Sequence, residues 1–441
     1  MKKILSLIAT ASLILTVFAS CSENVGEQTK KESSQQTSQT AEDTQTNAED
    51  TEGEDMEELK ETAVSYKTLT ADKAINVATH PEYRNEHTLN TYSNVEYETY
   101  LGVCADFKVN GFDVYSSMKK GNIYASTFVN ETDFYHVYWH EKDKKLRVAE
   151  APGEADTLPV NDPMAIQGDK VTSVTQLKST KVYGMGYIIT LRDGSFIIID
   201  GGWIDEHDRI YEKLVKLNGS EENIIIRAWI ITHAHNDHYD AFTSFAPKYA
   251  DKVTLERFIY ASETPDLRVS GWGSFLAWGY VYDYISMFKD TKVLYAHTGM
   301  DLVFGDVRME VLFSCDDMLI DFIPENQNNT SLVTRFYTTD MNMLFLADAG
   351  EDVSKILENY YGDYLKSDMC QAAHHGVENF PLRTYEIIKP EVMFYPCAER
   401  LYNAKERFYE VRMALKNSSY VKTIIMHEKS DITRPLFYNK K

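Results

Sequence analysis

Hydrophobic and polar positions divide the chain near residue 165. Before that point, Tyr97, Tyr100, Leu101 and Cys104 recur at helical spacing, and Asn110-Gly111 closes the helix. Four strand-like runs follow at 112–115, 123–128, 134–139 and 146–149, rich in aromatic and β-branched residues. The turns Lys120-Gly121-Asn122, Asn130-Glu131-Thr132 and Glu141-Lys142-Asp143 join them into a meander. Together they predict a small α+β module over 63–165. Alternation places His136 and His140 on one face of the third run, with Phe134 and Tyr138, and they read as surface histidines of an antiparallel sheet.

Pro152, Gly153, Pro159, Pro163 and Gly168 then mark a linker. Beyond it the pattern predicts strands at 171–177, 187–191 and 196–199, with Arg192-Asp193-Gly194-Ser195 as a hairpin turn. A helix at 209–217 leads to a strand at 224–231, and later strands fall at 292–296, 307–313, 332–337 and 343–347. Helical spacing covers 241–249, 275–288, 353–360, 382–388 and 405–415. Strands interleaved with helices in this way predict two sheets face to face with helices outside, over 166–441.

The N-terminus changes the picture of where such a protein works. Lys2-Lys3, an apolar stretch from Ile4 to Phe18, and Phe18-Ala19-Ser20-Cys21 resemble a bacterial lipoprotein signal peptide over 1–20, with Cys21 as the lipidated residue. A plain secretory signal cut near Ala19 or Ser20 is the alternative. Either implies an extracytoplasmic protein; the first adds a membrane partner through a lipid anchor. Residues 21–62 are almost devoid of apolar side chains, and Ser22 to Thr62 carries 13 Asp/Glu against 3 Lys, so the tract is expected to be a disordered acidic tether.

The formal charge of −22 is only partly due to that tether. An acidic body disfavours tight, sequence-independent binding to a phosphate backbone, so no stable nucleic-acid partner is expected. Small phosphoesters stay open as substrates, because bound cations invert a local field. Cys104, Cys315, Cys370 and Cys397 show no CxxC spacing and read as free thiols.

The chemistry gathers after the strand at 224–231. Trp229-Ile230-Ile231-Thr232 delivers His233, His235, Asp237 and His238 within six positions. Residues two apart on an extended segment point the same way, so His233 and His235 can address one ion together. Asp237 and His238 follow where the chain turns into a helix and can reach a second ion. Imidazoles with one carboxylate suit one or two Zn²⁺ ions, with Mn²⁺ or Fe²⁺ as alternatives.

Thr232-His233-Ala-His235-Asn-Asp237-His238 matches the HxHxDH motif, and from about 170 to 441 the chain resembles the metallo-β-lactamase superfamily. Its companions appear in order: Ile199-Asp200-Gly201-Gly202, Leu344-Phe345-Leu346-Ala347-Asp348 and Ala373-His374-His375-Gly376. The resemblance implies an α+β fold, the four-layer αββα metallo-β-lactamase sandwich. It implies His233 and His235 for one metal, Asp237, His238 and His374 for the other, and Asp348 bridging. Asp237 is also taken as catalytic, and Asp200 and His375 as residues behind the ligands. The alternatives are Asp348 as a helix cap and His375 as the ligand in place of His374.

Most members place a further His before the bridging Asp, and the only one in that interval is His297, which reads as a turn residue. Asn326-Gln-Asn328-Asn329-Thr-Ser331 stands there instead. That run, with His-His-Gly, resembles the ComEC-like subgroup, which includes the domain of the bacterial competence DNA-uptake protein. The subgroup implies hydrolysis of a phosphodiester by a metal-bound hydroxide, on a small-molecule or nucleotide-like substrate contacted by Asn329 and Ser331. Lys366, Arg335 and Arg383 are candidates to hold phosphate, each also readable as a solvated surface charge. The rival readings are a lactone or ester hydrolase of the same fold, and a binding lipoprotein whose metal is structural.

Overall fold

In the computed structural model, residues 56–78, 86–160, 168–261, 281–316, 326–377, 380–406, 408–427 and 430–436 are described. The expected signal peptide, Cys21 and nearly all of the expected acidic tether lie outside them, as does the first part of the helix expected at 275–288.

The N-terminal module is a six-stranded antiparallel sheet. Its strands are β1 (Lys73–Ala78), β2 (Glu86–Tyr92), β3 (Asp113–Lys120), β4 (Ile123–Val129), β5 (Phe134–His140) and β6 (Lys145–Ala151), in the order β1-β2-β6-β5-β4-β3. The last four form the expected meander. β1 and β2, absent from the sequence reading, extend the sheet beyond β6. Helix α1 (Tyr97–Val109) lays Tyr100, Val103 and Phe107 against Phe128, Val137, Trp139 and Leu146. Gly111, at a φ of 83°, takes the left-handed position that follows it.

The remaining strands build a sandwich. One sheet holds β7 (Ser173–Gln176), β8 (Gly186–Thr190), β9 (Phe196–Asp200), β10 (Ile224–Ile231), β11 (Val253–Leu255), β12 (Arg257–Tyr260) and β13 (Lys292–Tyr295). The other holds β14 (Asp301–Phe304), β15 (Val307–Phe313), β16 (Val333–Tyr337), β17 (Asn342–Phe345), β18 (Met369–Gln371), β19 (Val392–Tyr395) and β20 (Thr423–Met426) in simple order. β21 (Ile432–Pro435) returns to pair with β7 in the first sheet.

Period-two alternation decides the layers. Met343 and Phe345 face the first sheet, where Phe345 meets the Tyr187 ring at 5.0 Å, while Leu344 between them joins the opposite core. On the outer faces, α2 (His207–Asn218) and α3 (Asn236–Tyr249) cover Trp229, with Phe242 and Phe245 edge-on to its ring. α4 (Glu351–Tyr361), α5 (Leu382–Ile388) and α6 (Tyr409–Lys416) bury Val353, Leu357, Ile388 and Leu415 against Leu344 and Met393. The result is the four-layer αββα sandwich with an N-terminal α+β module. Among the strands missed from sequence, β18 and β19 are short, parallel and largely buried, and so lack alternation.

Residues 60–441 form one compact unit, so the module has no separate core of its own on both faces. Leu89, Phe134 and Ala149 belong to the central core of the sandwich, and Ile123, Ala125 and Tyr138 to its second core. Buried polar groups line the same contact. His136 is fully buried, 2.9 Å from both the Thr127 hydroxyl and the Thr298 carbonyl, and His140 is nearly so, which corrects their reading as surface histidines. His297 is likewise no exposed turn residue. It lies 2.7 Å from Asp316 and 2.8 Å from His87, whose other nitrogen is 2.9 Å from Glu154. Lys120 is buried beside Asp301 and Glu310, and burial outweighs these carboxylates to push its amine down to about 7.

The four cysteines after Cys21 are free, and all but Cys104 are buried. Among the described residues no helix is long and apolar enough to cross a membrane.

Candidate metal centre

β10 is the strand that organises the site. It runs parallel to β9 and β12, its last four side chains are fully buried, and it ends directly on Thr232 and His233. His235 is the N-cap residue of α3, in an extended conformation, so Asp237 and His238 occupy the first helical turn. A carboxylate at that place is favoured by the helix dipole.

Two further loops close on this turn. Asp348 follows β17, and its backbone is braced from behind: Ser331 Oγ accepts from Asp348 N at 3.1 Å, and Asn329 Oδ1 from Gly350 N at 2.9 Å. Gln371 Oε1 accepts from Leu346 N and Ala347 N at 2.9 and 2.7 Å. Ala347 itself is left-handed, with a φ of 48°. The third loop follows β18, where His374, His375 and Gly376 take φ values of 45°, 56° and 77° in succession. Such a run costs free energy for the two histidines and is tolerated only where surrounding contacts impose it. A Cβ at position 376 would sit 2.4 Å from the Tyr395 ring, so Gly is required there twice over.

The ligand-type atoms of Asp237, His238, Asp348 and His375 all lie within 4.8 Å of one another, and so do those of His233, His235 and Asp348. Asp348 belongs to both groups. His238 Nε2 is 3.3 Å from Asp348 Oδ1, and His375 Nε2 is 2.9 Å from Asp237 Oδ2 and 3.5 Å from Asp348 Oδ2. His233 Nε2 is 3.1 Å from His235 Nδ1 and 3.8 Å from Asp348 Oδ2. Yet His238 Nε2, His375 Nε2 and Asp348 Oδ1 are buried and aligned for no hydrogen bond. Buried polar atoms are rarely left so, and atoms that crowd together without bonding to each other fit a shared cation. Imidazole nitrogens with carboxylates are the donor set of Zn²⁺ or Mn²⁺.

Asp200 lies behind His238. Its Oδ2 is 2.7 Å from His238 Nδ1 and accepts from Thr232 Oγ1 at 2.9 Å, while Oδ1 accepts from Thr232 N at 2.8 Å. This fixes the His238 ring with Nε2 facing the cluster. Electrostatics follow the same layout. Burial opposes charge on His375, but Asp348 and Asp237 outweigh it and raise the group to about 9. His238 moves in the same direction, with Asp348, Asp200 and Asp237 overcoming its burial. His233 goes the other way, driven well below its usual range by burial and by its imidazole neighbours.

Two expectations change here, and one alternative falls. His375, placed behind the ligands from sequence, stands in the four-residue group, whereas His374 approaches Asp348 Oδ2 at 3.5 Å and is partly exposed beside Asn328. Asn329 and Ser331, expected on substrate, spend their side chains holding the Asp348 loop. Asp348 is no helix cap, since Gly350 is the N-cap of α4. Arg335, Arg383 and Lys366 all sit beside carboxylates: Arg335 is buried at 2.6 Å from Glu310, Arg383 contacts Glu358, and Lys366 is 3.7 Å from Asp363. Gln371 was not singled out from sequence, and a lone Gln in a three-residue strand carries no signal that could have marked it.

No family model matches the chain, and neither does any curated protein. Among solved structures it is similar to CmlA, a diiron β-hydroxylase from Streptomyces venezuelae, at 11% identity over 78% of this chain and 79% of that one, with a TM-score of 0.37. It is similar to unliganded yeast PDE1 at 12% identity over 61% of this chain and all of that one, TM-score 0.36. A third is the short form of human tRNase Z, at 10% identity over 60% of this chain and all of that one, TM-score 0.34.

Proposed function

We propose that this protein is a metal-dependent hydrolase that cleaves a phosphodiester, held at the outer face of a bacterial membrane by a lipid on Cys21. The observation that carries the reading is the convergence of buried, unbonded ligand atoms on His238, Asp348 and His375. Asp237, His238, His375 and Asp348 would hold one ion, and His233, His235 and Asp348 the other. Bound there, the ions would supply Lewis acidity towards a phosphoryl oxygen and lower the pKa of a water molecule.

The chain's own residues do the remainder. Asp348, common to both groups, would help to hold both ions, which would supply the charge that stabilises displacement at phosphorus. Asp200 keeps His238 Nδ1 engaged, so that the proton stays off Nε2. Asp237, buried beside His375, would be placed to accept a proton from a water molecule held there. Asp348, where a dedicated β-lactamase would carry Cys, weighs against β-lactam chemistry, and the run Asn326 to Ser331, where a further His would stand, weighs against that chemistry and against lactone and thioester hydrolysis.

The test is to assay bis-p-nitrophenyl phosphate, a lactone and nitrocefin side by side with Mn²⁺ and Zn²⁺. Turnover of the diester supports the proposal, and turnover of the lactone alone overturns it. If the protein bound no transition metal and Asp237→Ala lost no metal-dependent stability, the hydrolase reading would give way to that of a binding lipoprotein.

A further inference from the structure

The two ligand groups are unequally furnished. Asp237, His238 and His375 join Asp348 in one, while the other has His233 and His235 besides that shared carboxylate. One segment of the chain touches all three loops of the site and passes beside the poorer group.

Gln327–Thr330 is a single 3-10 turn, and Asn326 Oδ1 accepts from Asn328 N at 3.0 Å, which fixes its start. Leu332 N donates to Thr232 O at 2.9 Å, and Gln327 Nε2 lies 3.5 Å from Ala234 O, so the segment is seated against the stretch that carries His233 and His235. Asn329 and Ser331 hold the Asp348 loop. Asn328 reaches the third loop, with its Nδ2 at 3.4 Å from both ring nitrogens of His374. Equal distances put the amide over the imidazole face rather than on either lone pair. An N–H is attracted to the face of a ring and a carbonyl oxygen is not, so this contact sets which end of the amide meets His374. His374 Nε2 and His233 Nε2 approach the same oxygen, Asp348 Oδ2, at 3.5 and 3.8 Å. The Asn328 amide therefore stands at the edge of the group formed by His233, His235 and Asp348.

The oxygen of that amide is the second observation. Asn328 is 6% exposed, and its Oδ1 is shielded from solvent with no hydrogen-bond partner among the described residues. A buried amide oxygen left so is unfavourable, and either a donor or a cation would satisfy it. A phosphoryl oxygen of the substrate would be repelled by it, and a substrate hydroxyl arriving from solvent does not meet an atom this enclosed. His238 Nε2, Asp348 Oδ1 and His375 Nε2 are enclosed and unbonded in the same way, and all three are ligand-type atoms. A cation accounts for the four together.

We propose that Asn328 Oδ1 is the fourth protein donor to the ion addressed by His233, His235 and Asp348. The proposal rests on reading the site as a metal centre. An amide oxygen is a harder donor than imidazole and carries no charge, so it suits Mn²⁺ better than Zn²⁺. It also makes this ion the more weakly held of the two, because the other group has a second carboxylate, Asp237, to itself.

The test titrates Mn²⁺ into the metal-stripped full chain, with calorimetry for affinity and elemental analysis after dialysis for the count, and it needs no substrate. The wild type is expected to take up two ions, in a tighter and a weaker step. Asn328→Leu, close to Asn in size, is expected to weaken the weaker step about ten-fold or more and to leave the tighter one unchanged, which also shows that the fold is intact. Asn328→Asp keeps an oxygen in place and adds a charge, and is expected to tighten the weaker step. An amide that only packs predicts neither change.

A weaker step that is the same in the wild type and Asn328→Leu overturns the proposal, and so does a loss confined to the tighter step. Uptake of a single ion by the wild type overturns it as well. If Asn328→Leu fails to fold, Asn328→Asp decides, and a weaker step no tighter than that of the wild type counts against Asn328. A wild type that takes up no ion sinks the metal-centre reading itself, a result distinct from two ions that ignore position 328.

Discussion

Asp200→Asn is the substitution that probes how the site is held. Asp200, Thr232 and His238 are all fully buried, and three donors converge on the two carboxylate oxygens. An amide of the same size can accept at only one end. If its oxygen stays with Thr232 N, its NH2 faces His238 Nδ1, and the ring must move its proton to Nε2 to accept. Nε2 is the atom that faces Asp237 and Asp348, so the proton then stands where an ion would bind. If the amide turns over, Thr232 N–H loses its acceptor in a fully buried place. The first outcome lowers metal affinity by about 10–100-fold, and the second costs about 1–3 kcal/mol of stability. Zn²⁺ competition against a chromophoric chelator reads the affinity, and urea unfolding of the metal-stripped chain reads the stability. Affinity and midpoint both equal to wild type would refute the role given to Asp200.

Other consequences follow from the same contacts. His375, at about 9 against an ordinary 6.5, stabilises the metal-stripped fold most fully below pH 6.5, and that contribution fades as pH rises through about 9. Metal binding runs the other way, since an ion must displace that proton: affinity should climb up to about pH 9, with proton release visible by calorimetry in buffers of different ionisation enthalpy. A pH-independent affinity between 6.5 and 9 would contradict the layout. His297→Phe strands Asp316 and His87 inside the module contact and should cost about 3 kcal/mol, measured as a urea midpoint shift; a loss near zero would mean the buried chain from Glu154 to Asp316 contributes nothing. Ser331→Ala removes the acceptor of Asp348 N and should cost about 1–3 kcal/mol, with weaker metal binding; unchanged values would return Ser331 to the substrate side.

Much of this could be read in the residues before any coordinates. The strand expected at 224–231 ends where expected because Ile and Trp run unbroken to Thr232, and the metal-type residues follow in sequence. The antiparallel meander was legible because hairpins advertise their turns. What was not legible depends on contacts distant in sequence. The choice between His374 and His375 is made by three left-handed residues pressed against Tyr395, not by any local spacing. Asn329 and Ser331 looked available for substrate because their acceptors' partners, Gly350 N and Asp348 N, lie 21 and 17 positions away. His136 and His140 looked exposed because polar residues usually are, and His297 looked like a turn residue; burial in the fold makes all three interior.

The most direct measurement is the metal content of four proteins after loading with Zn²⁺ or Mn²⁺ and desalting: wild type, Asp348→Ala, His375→Ala and His374→Ala. The account predicts bound metal in the wild type, loss at both groups in Asp348→Ala, loss of one group's share in His375→Ala, and wild-type content in His374→Ala. A wild type that holds no transition metal, or a His375→Ala protein that loads fully while His374→Ala does not, would contradict it.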